Sequence, residues 1–588
     1  MSKPKAAPKA TPSNAKTPLL IFAALGALFG GGAIIGVTVL SSPALGWRMF
    51  TARLVSYLIC YGILFFAIWG YGSIFKPVAF LSLPIACVAC GVRTVYESAR
   101  YVDGLPLALI FCVLSVGAVA ACAWAMTHYP TEKKSENKYM PTVWASLLIL
   151  AAAVASFVLF FRTCSARADS LQIDGKAQAE IGQMLYYMQN SGLPFTTVVT
   201  GAPESYFATQ FAPLWYLMLP VWALSGHSLF AVGHALYILM LTAAIPLYRI
   251  CRKLSLSPMT ACALCCASLL CPLLIGGGAG GGSLAMLSLP LLLWVADAML
   301  GKRPYLALIP LVLCLGISLE VTLWTAFVCL YLALSAPAEK KKSGFICTAV
   351  AGVGLIATVI WLAINQSPVL TGLFSGIGLQ AVAKLRFVAL LLLPTALLPL
   401  LCKQKWALVL LVPFTLCHLV ANASVYSGVF TAYAYPALAA VSLLGALGAK
   451  EIRTQIKGVK LGRVLPALAL CASILLSIPY VMLLDSLYEV EQEDVTDVAR
   501  MRELLSKLPE NASVTASDSL LPELCDRTWL FSLSQSPEQP QTSVVVLDLR
   551  EDFIPTDMEQ YDVAYYKTLG YSLRDDLSAD GLVAVLYK

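Results

Sequence analysis

Charged residues are scarce in this chain of 588 residues. Only 12% of the residues are Asp, Glu, Lys or Arg, only four are histidine, and 59% are hydrophobic. A mean hydropathy of +0.77 leaves too little polar surface to cover a water-soluble core. The composition therefore excludes a soluble globular protein and indicates an integral membrane protein.

Several chemical signatures are also missing. The sequence has no phosphate-binding loop, no Cys/His spacing of a zinc site, no haem signature and no serine nucleophile elbow. The glycine run 276–282 lacks the Lys and Ser/Thr of a phosphate loop, and we expect it to form a flexible external turn. Most of the eighteen cysteines lie inside apolar runs, where cysteine behaves as a small hydrophobic residue.

Apolar runs that could cross about 30 Å of hydrocarbon as helices recur along the chain. A further stretch, 305–336, is typical of two short helices that meet at Glu320. The sequence therefore predicts an all-α polytopic membrane protein with about 15 membrane helices, counting this short hairpin. The other runs lie near residues 18–40, 52–75, 77–92, 105–127, 142–161, 229–248, 256–275, 283–300, 343–364, 385–401, 406–421, 428–448 and 464–484.

Composition divides the chain into four parts. Residues 1–17 are rich in Lys and Pro and predict a disordered cytoplasmic tail, and residues 18–141 form a first group of membrane helices of unassigned role. Residues 142–484 form a second membrane domain, which a polar loop at 163–227 interrupts. Residues 486–588 are soluble in character, and a helix near 492–507 followed by short β-like runs predicts a small α/β domain.

Basic residues predict the orientation, because short cytoplasmic loops are rich in Lys and Arg. Lysines near the N-terminus and in the loop 128–141 place both segments in the cytoplasm, so five crossings put residues 163–227 outside. Segment 211–226 is short and contains two prolines, so we expect it to lie along the outer membrane surface. The later basic clusters then become cytoplasmic and residues 486–588 external. These clusters are 249–253, 302–303, 340–342, 403–405 and 450–463.

The external loop carries the first candidate site residues. A helix over 174–190 is predicted to bury one apolar stripe. Asp174 lies one heptad before the first residue of that stripe, whereas Glu180 points elsewhere. Asp174 is therefore either the N-cap of the helix or a carboxylate held at the membrane boundary for catalysis, and both interpretations stay open. The stripe consists of Ile181, Met184, Leu185 and Met188.

Other polar residues are predicted at the same outer level. Glu320 is either a functional carboxylate or the structural partner of a nearby cation, since intramembrane charges are costly. His418 is either a helix-packing residue or a direct participant. Lys384 and Arg386 lie at the outer boundary, where they could bind an anionic group such as a phosphate or face solvent and lipid head groups.

The order of these features resembles the GT-C superfamily of membrane glycosyltransferases. More narrowly, residues 160–588 resemble a bacterial and archaeal membrane family of unknown function, numbered 2079. "QFAP", beginning at Gln210, stands at the family's His-Phe-Ser-Pro motif, and "SLEV", with Glu320, stands at its Lys-Glu-Asp motif. "YSGVFTAYAYPALAAV", which contains Tyr433, matches the Tyr-rich stretch, and "NASVTASDSLLPELCDR" matches the C-terminal segment.

This resemblance implies a glycosyltransferase of the bacterial inner membrane, which moves a sugar from a polyprenyl-phosphate carrier to an extracytoplasmic acceptor. Its partners would be membrane lipid, the lipid-linked sugar donor and an unidentified acceptor, and no nucleic acid. Asp174 and Glu320 are the first catalytic candidates, with Glu180 and Asp169 as lower alternatives. Substrate contacts are expected from Lys384, Arg386, Gln210, His418 and Tyr433.

Two other functions stay open. A transporter or flippase of a lipid-linked intermediate would use the same outer cavity without chemistry. An inactive GT-C-like assembly protein is the other alternative, because Gln210 replaces the histidine of the family motif. No motif requires a cofactor, and a divalent metal held through carboxylates is compatible with the chain but unsupported by any spacing.

Overall fold

A computed structural model describes most of the chain from residue 142 onward. The predicted helices before residue 142, Asp174, and most of the predicted helix 464–484 lie outside the described residues. The side chain of Arg386 is also outside them. The described ranges are 142–169, 171, 175–199, 202–279, 281–372, 381–395, 397–420, 433–455, 469–470, 473–474, 492–534, 542–550 and 561–588.

The described part is mostly helical, as the sequence predicts. Its helices before the C-terminal domain are α1 (Thr142–Asp169), α2 (Gly175–Ser191), α3 (Tyr206–Thr209), α4 (Leu219–Leu224), α5 (Leu229–Leu241), α6 (Ala244–Lys253), α7 (Pro258–Leu269), α8 (Pro272–Ala279), α9 (Ser288–Leu300), α10 (Leu308–Leu315), α11 (Leu319–Ser335), α12 (Ala338–Ile364), α13 (Pro368–Gly372), α14 (Ala381–Leu392), α15 (Leu411–Phe414) and α16 (Ala434–Gln455). Tighter 3₁₀ segments cover Pro213–Met218, Leu284–Leu287, Pro304–Ala307, Leu393–Thr395, Leu398–Leu401 and Lys405–Leu410, and Thr415–Val420 forms a π-helical segment.

Within the described residues, four helical stretches are long and apolar enough to cross a membrane. They are Val143–Asp169, Leu229–Lys253, Pro258–Gly278 and Ala338–Ile364. The second stretch is divided into α5 and α6, and the third into α7 and α8. Pro272 is the first residue of α8, since proline has no backbone N–H with which to continue the preceding helix.

The predicted pair of short helices over 305–336 is present as α10 and α11. Gly316 ends α10, and Ser318 caps α11 by accepting a hydrogen bond from the backbone N–H of Val321 through its side chain. The junction of the two helices therefore places Glu320 in the first turn of α11.

Basic clusters that are far apart in sequence meet at one end of the helical bundle. The Lys253 Nζ lies 2.7 Å from Asp297 Oδ1, and the Arg249 Nε lies 3.0 Å from Asp297 Oδ2. The Lys340 Nζ donates hydrogen bonds to the carbonyls of Leu300, at 3.0 Å, and Gly301, at 2.6 Å. We call this region the basic end.

The polar loop lies at the opposite end of the same helices. The Trp361 side chain, near the end of α12, donates a hydrogen bond from Nε1 to the carbonyl of Phe207 at 2.8 Å. The backbone N–H of Leu214 donates to the carbonyl of Gly316, just after α10, at 3.0 Å. Because α12 begins at the basic end, the loop and the basic end are separated by the length of a helix. The membrane side that each end faces stays a sequence-based prediction.

Segment 213–224 is too short to span a bilayer. It consists of a 3₁₀ segment and α4, twelve apolar residues in all, and Leu217 and Leu224 are exposed. Its length and exposed apolar side chains agree with the prediction that it lies along the membrane surface.

The polar loop contains a two-stranded antiparallel sheet of β1 (Phe195–Thr196) and β2 (Glu204–Ser205).

The C-terminal residues form an α/β domain around a five-stranded sheet. The elements are α17 (Gln492–Leu505), β3 (Val514–Ala516), the 3₁₀ segment Leu521–Leu524, β4 (Leu530–Ser532), β5 (Val544–Asp548), α18 (Val563–Thr568), β6 (Ser572–Leu573) and β7 (Val583–Tyr587). The strand order is β4-β3-β5-β7-β6; β3 is parallel to β4 and β5, and β7 is antiparallel to β5 and β6. Every residue of β5 is buried, which fits the apolar run 544–547 at the centre of the sheet.

The α/β domain packs directly on the polar loop. The side-chain amide of Gln183, in α2, donates from Nε2 to the carbonyls of Arg527 and Thr528, each at 3.2 Å. The backbone N–H of Ser532, in β4, donates to the carbonyl of Val198 at 2.8 Å. The loop and the α/β domain therefore lie on the same side of the membrane domain.

Candidate functional site

A cavity of about 690 Å³ lies between α2 and the ends of the membrane-domain helices, away from the basic end. We call it the main cavity. Its walls come from α2, the loop residues 196–215, the glycine run, the α10–α11 junction and the start of α16. Its polar lining includes Lys176, Glu180, Glu204, Tyr206, Gln210 and Tyr433.

The apolar stripe of α2 explains how Glu180 reaches the main cavity. Ile181, Met184, Leu185 and Met188 are all buried, which confirms the predicted stripe. Glu180 precedes this stripe directly and is half-buried at its edge, where it lines the main cavity. Asp174, which the sequence favours, lies outside the described residues, so Glu180 is the acidic residue of α2 that the structure brings to this cavity.

Tyr206, Gln210 and Tyr433 form a row of hydrogen-bonded side chains in the wall of the main cavity. The Tyr206 hydroxyl donates a hydrogen bond to Gln210 Oε1 at 2.7 Å, and the Gln210 side chain also hydrogen-bonds Tyr433. Burial raises the pKa of Tyr206 well above its ordinary value, and the negative charges of Glu180 and Glu320 raise this pKa further. Tyr206 therefore stays neutral, with its proton directed at Gln210.

Glu320 lies close behind this wall. Its side chain is 5% exposed, in the first turn of α11, and Ser318 at the same junction lines the main cavity. This placement joins Glu320 to the site through its charge acting on Tyr206.

Two other predicted substrate residues lie deeper among the helices. The ring of His418 is 1% exposed and stacks on Phe387, with ring centroids 4.6 Å apart. The ammonium group of Lys384 is buried and donates a hydrogen bond to the carbonyl of Leu419 at 2.7 Å. The described lining of the main cavity contains neither residue. The ammonium group of Lys384 therefore contacts a backbone carbonyl, and a phosphate would have to share or replace this hydrogen bond.

Asp169 belongs to a second cavity, of about 470 Å³. This second cavity lies between the end of α1, the start of α5 and the α/β domain. It shares Gln178, Gly281 and Gly282 with the main cavity, so the two cavities adjoin. The two acidic alternatives predicted in the loop, Glu180 and Asp169, thus line different cavities.

The glycine run differs from the flexible turn that the sequence predicts. Residues 276–279 are helical, as the last part of α8. A Cβ on Gly278 would lie 2.7 Å from the Tyr237 ring, and one on Gly282 would lie 3.0 Å from the Cα of Gly233. Glycine is required here because neighbouring helices approach closely, and the run forms a packed wall between the two cavities.

Sequence reasoning missed Lys176, Glu204 and Tyr206. Lys176 and Glu180 are four residues apart on α2, a spacing that places them on one helical face, and both line the main cavity. That spacing was readable in the sequence, whereas the helix that carries Tyr206 is held by Trp361 and Ser367, more than 150 positions away. Within the described ranges, no group of three or more His, Cys, Asp or Glu side chains could hold a metal ion.

Comparisons with known proteins place the chain in a family. No curated protein matches the sequence significantly. The chain is similar to two solved structures of ArnT from Cupriavidus metallidurans, one in the apo state and one bound to undecaprenyl phosphate. In each case the identity is 14% and the TM-score 0.48, over 76% of this chain and 98% of that chain. The model of a family described as predicted membrane protein (DUF2079) matches residues 182–572. This match covers most of the membrane domain and of the α/β domain, and the chain belongs to the DUF2079 family of membrane proteins.

Proposed function

We propose that this protein is a membrane glycosyltransferase that moves a sugar from a polyprenyl-phosphate carrier to an acceptor hydroxyl outside the cytoplasm. The observation that carries the proposal is the main cavity, which joins the carboxylate of Glu180 to hydroxyl and amide groups at the ends of the membrane-domain helices. Such groups suit the hydroxyls of a sugar, and the adjoining helices suit a lipid carrier. The order of sequence features, which resembles the GT-C superfamily, supports the same class.

Glu180 is the proposed general base. The acceptor oxygen attacks the anomeric carbon of the donor sugar and forms a new C–O bond. The bond from that carbon to the phosphate oxygen breaks, the phosphate leaves on the lipid carrier, and the acceptor proton passes to the carboxylate of Glu180. A positioned general base contributes about 10²–10⁴ in rate, so its removal should be easy to measure.

Lys176 is the proposed contact for the leaving phosphate. Lys176 lines the main cavity on the same face of α2 as Glu180. A cation at this position stabilises the negative charge that develops on the phosphate as the bond breaks. Lys384 and Arg386 remain sequence-based candidates for this role, as does Asp174 for the base. Glu320 is proposed to act through its charge on Tyr206, which orients Gln210 and Tyr433.

The test uses the purified full-length protein in lipid nanodiscs with a panel of synthetic short-chain polyprenyl-phosphate sugars. The wild type should release polyprenyl phosphate from at least one donor. Glu180→Gln should lower kcat by about 100-fold or more. Glu503→Gln is the matched control, because Glu503 is exposed on α17, away from both cavities, and its carboxylate pairs with Lys507 at 2.8 Å.

Two results would overturn the proposal. One is a folded wild-type protein that cleaves none of the donors, and the other is a Glu180→Gln variant with an unchanged rate. Movement of an intact fluorescent donor across proteoliposomes, without cleavage, would instead establish the flippase alternative.

A further inference from the structure

Gln178 occupies the boundary between the two cavities. It lies on α2, it is 8% exposed, and it lines both the main cavity and the second cavity. Gly281 and Gly282 form the facing side of the same boundary. A molecule that extends from one cavity into the other must therefore pass the side-chain amide of Gln178.

The amide of Gln178 has no hydrogen-bond partner among the residues that the structure describes. The nitrogen and oxygen of this amide are not fully buried, so a ligand in either cavity can reach them. An amide offers two N–H donors and one acceptor oxygen. A ligand with neighbouring hydroxyl groups could satisfy both kinds of group, since each hydroxyl donates and accepts.

The backbone opposite Gln178 keeps this boundary open. Gly281 has a φ of +118°, a conformation that side-chain-bearing residues rarely adopt. A Cβ at this position would overlap the amide of Gln178. The glycine therefore leaves the amide unobstructed between the cavities.

The walls of the second cavity differ in chemistry. Phe160 of α1 and Phe230 of α5 give one apolar wall, on helices that cross the membrane domain. Ser519 and Glu523 of the α/β domain give a polar wall on the other side. A cavity with one apolar and one polar wall suits an amphiphilic molecule, whose tail packs on the aromatic rings.

We propose that the second cavity binds an amphiphilic molecule with a hydroxylated head group, and that Gln178 recognises that head group where the two cavities meet. Calling this molecule the acceptor of the transferred sugar rests on the proposed function. The binding itself rests only on the second cavity and on the amide of Gln178.

A photoreactive alkyl glucoside tests the binding directly. The probe carries a diazirine in its alkyl chain and is irradiated with the full-length protein in lipid nanodiscs, and labelled peptides are identified by mass spectrometry. Label should appear on the peptides that contain Phe160 and Phe230. Gln178→Leu should lower this labelling about tenfold at a fixed probe concentration. Gln189→Leu makes the same substitution at an exposed position of α2 and should change nothing.

Thermal stability separates ligand recognition from a structural role. Without probe, Gln178→Leu should have a Tm equal to or above that of the wild type, because the variant removes no hydrogen bond of the described structure. A lower Tm for Gln178→Leu, or unchanged labelling in a folded variant, would overturn the proposal. Labelling confined to peptides outside the second cavity would overturn it as well.

The reaction assay distinguishes this inference from the proposed function. If the wild type cleaves the donor, Gln178→Leu should raise the KM for octyl glucoside as acceptor about tenfold. An unchanged KM would show that the acceptor binds elsewhere. If the wild type cleaves no donor, the proposed function fails, and the labelling result alone decides whether the second cavity binds amphiphiles.

Discussion

The Nε2 atom of Gln183 lies 3.2 Å from the carbonyl oxygen of Thr528, which follows it by 345 residues in the chain. The same side chain accepts hydrogen bonds from the Thr197 backbone N–H, at 2.7 Å, and the Thr196 hydroxyl, at 3.0 Å. One buried amide therefore joins α2, the loop after it and the α/β domain. Because Glu180 lies one turn earlier on α2, the α/β domain fixes the helix that carries the proposed base.

Gln183→Leu should weaken the contact between α2 and the α/β domain. The substitution removes hydrogen bonds and leaves several buried backbone and hydroxyl groups unpaired, which should lower the free energy of unfolding by about 2–4 kcal/mol. Hydrogen–deuterium exchange should become faster in α2 and in residues 527–532. Gln189→Leu, on the exposed face of the same helix, should leave exchange unchanged, and equal exchange in both variants would contradict the role of Gln183.

Gly182→Ala should separate α2 from the α/β domain. A Cβ on Gly182 would lie 2.5 Å from Cys525 Sγ, so one of the two elements must move, at a cost of about 1–3 kcal/mol. Gly352 is the control, because it lies in α12 with nothing within 4 Å of an added Cβ. Gly352→Ala should raise the Tm, since alanine in a helix is favoured by about 0.5–1 kcal/mol. A Tm for Gly182→Ala at or above the wild-type value would refute the close contact.

The predicted orientation can be tested by labelling single cysteines in intact cells. Gln189→Cys lies on the polar loop and Lys341→Cys at the basic end, and both positions are exposed. In a cysteine-depleted background, a membrane-impermeant maleimide should label position 189 directly. It should label position 341 only after the cells are opened, because Lys and Arg concentrate on the cytoplasmic side. The reverse pattern would place the main cavity at the cytoplasmic side and exclude an extracytoplasmic acceptor.

Tyr206 should make stability sensitive to alkaline pH. Its pKa in the folded protein lies well above 10.0, so at high pH the unfolded chain ionises this tyrosine and the folded protein does not. Its contribution is therefore complete below about pH 10 and is lost as the pH rises towards the folded-state pKa. Between about pH 8 and pH 11, the wild type should lose more thermal stability than Tyr206→Phe. Parallel losses in the two proteins would show that Tyr206 ionises normally in the folded state.

Local patterns predicted much of the fold. β3, β4, β5 and β7 all lie within the β-like runs of the sequence, because short apolar segments between turn residues need no distant information. Local patterns also predict the buried stripe of α2, from its helical periodicity, and the helix pair α10–α11, from the interruption of an apolar run at Glu320.

The site was less predictable, because its residues gain their roles from distant segments. Gln178 and Gln183 are both buried residues of α2, yet among the residues that the structure describes only Gln183 has hydrogen-bond partners, and two of these lie in the α/β domain. Lys384 has the charge expected of a phosphate ligand, but its ammonium group donates a hydrogen bond to the Leu419 carbonyl at 2.7 Å. Sequence patterns give the type of each side chain and its face on a helix, not the group that it meets.

The pairing of Thr197 with Leu530 also determines when α2 can be fixed in place during synthesis. The Thr197 hydroxyl donates to the Leu530 carbonyl at 2.8 Å across 333 residues of chain. At about 5–20 residues per second, a ribosome needs roughly 20–70 s to make the intervening chain. Throughout that interval α2 has left the ribosome without the strand that holds it. A chain that ends before β4 therefore carries every described residue that lines the main cavity, but it lacks the strand that fixes the helix of the proposed base.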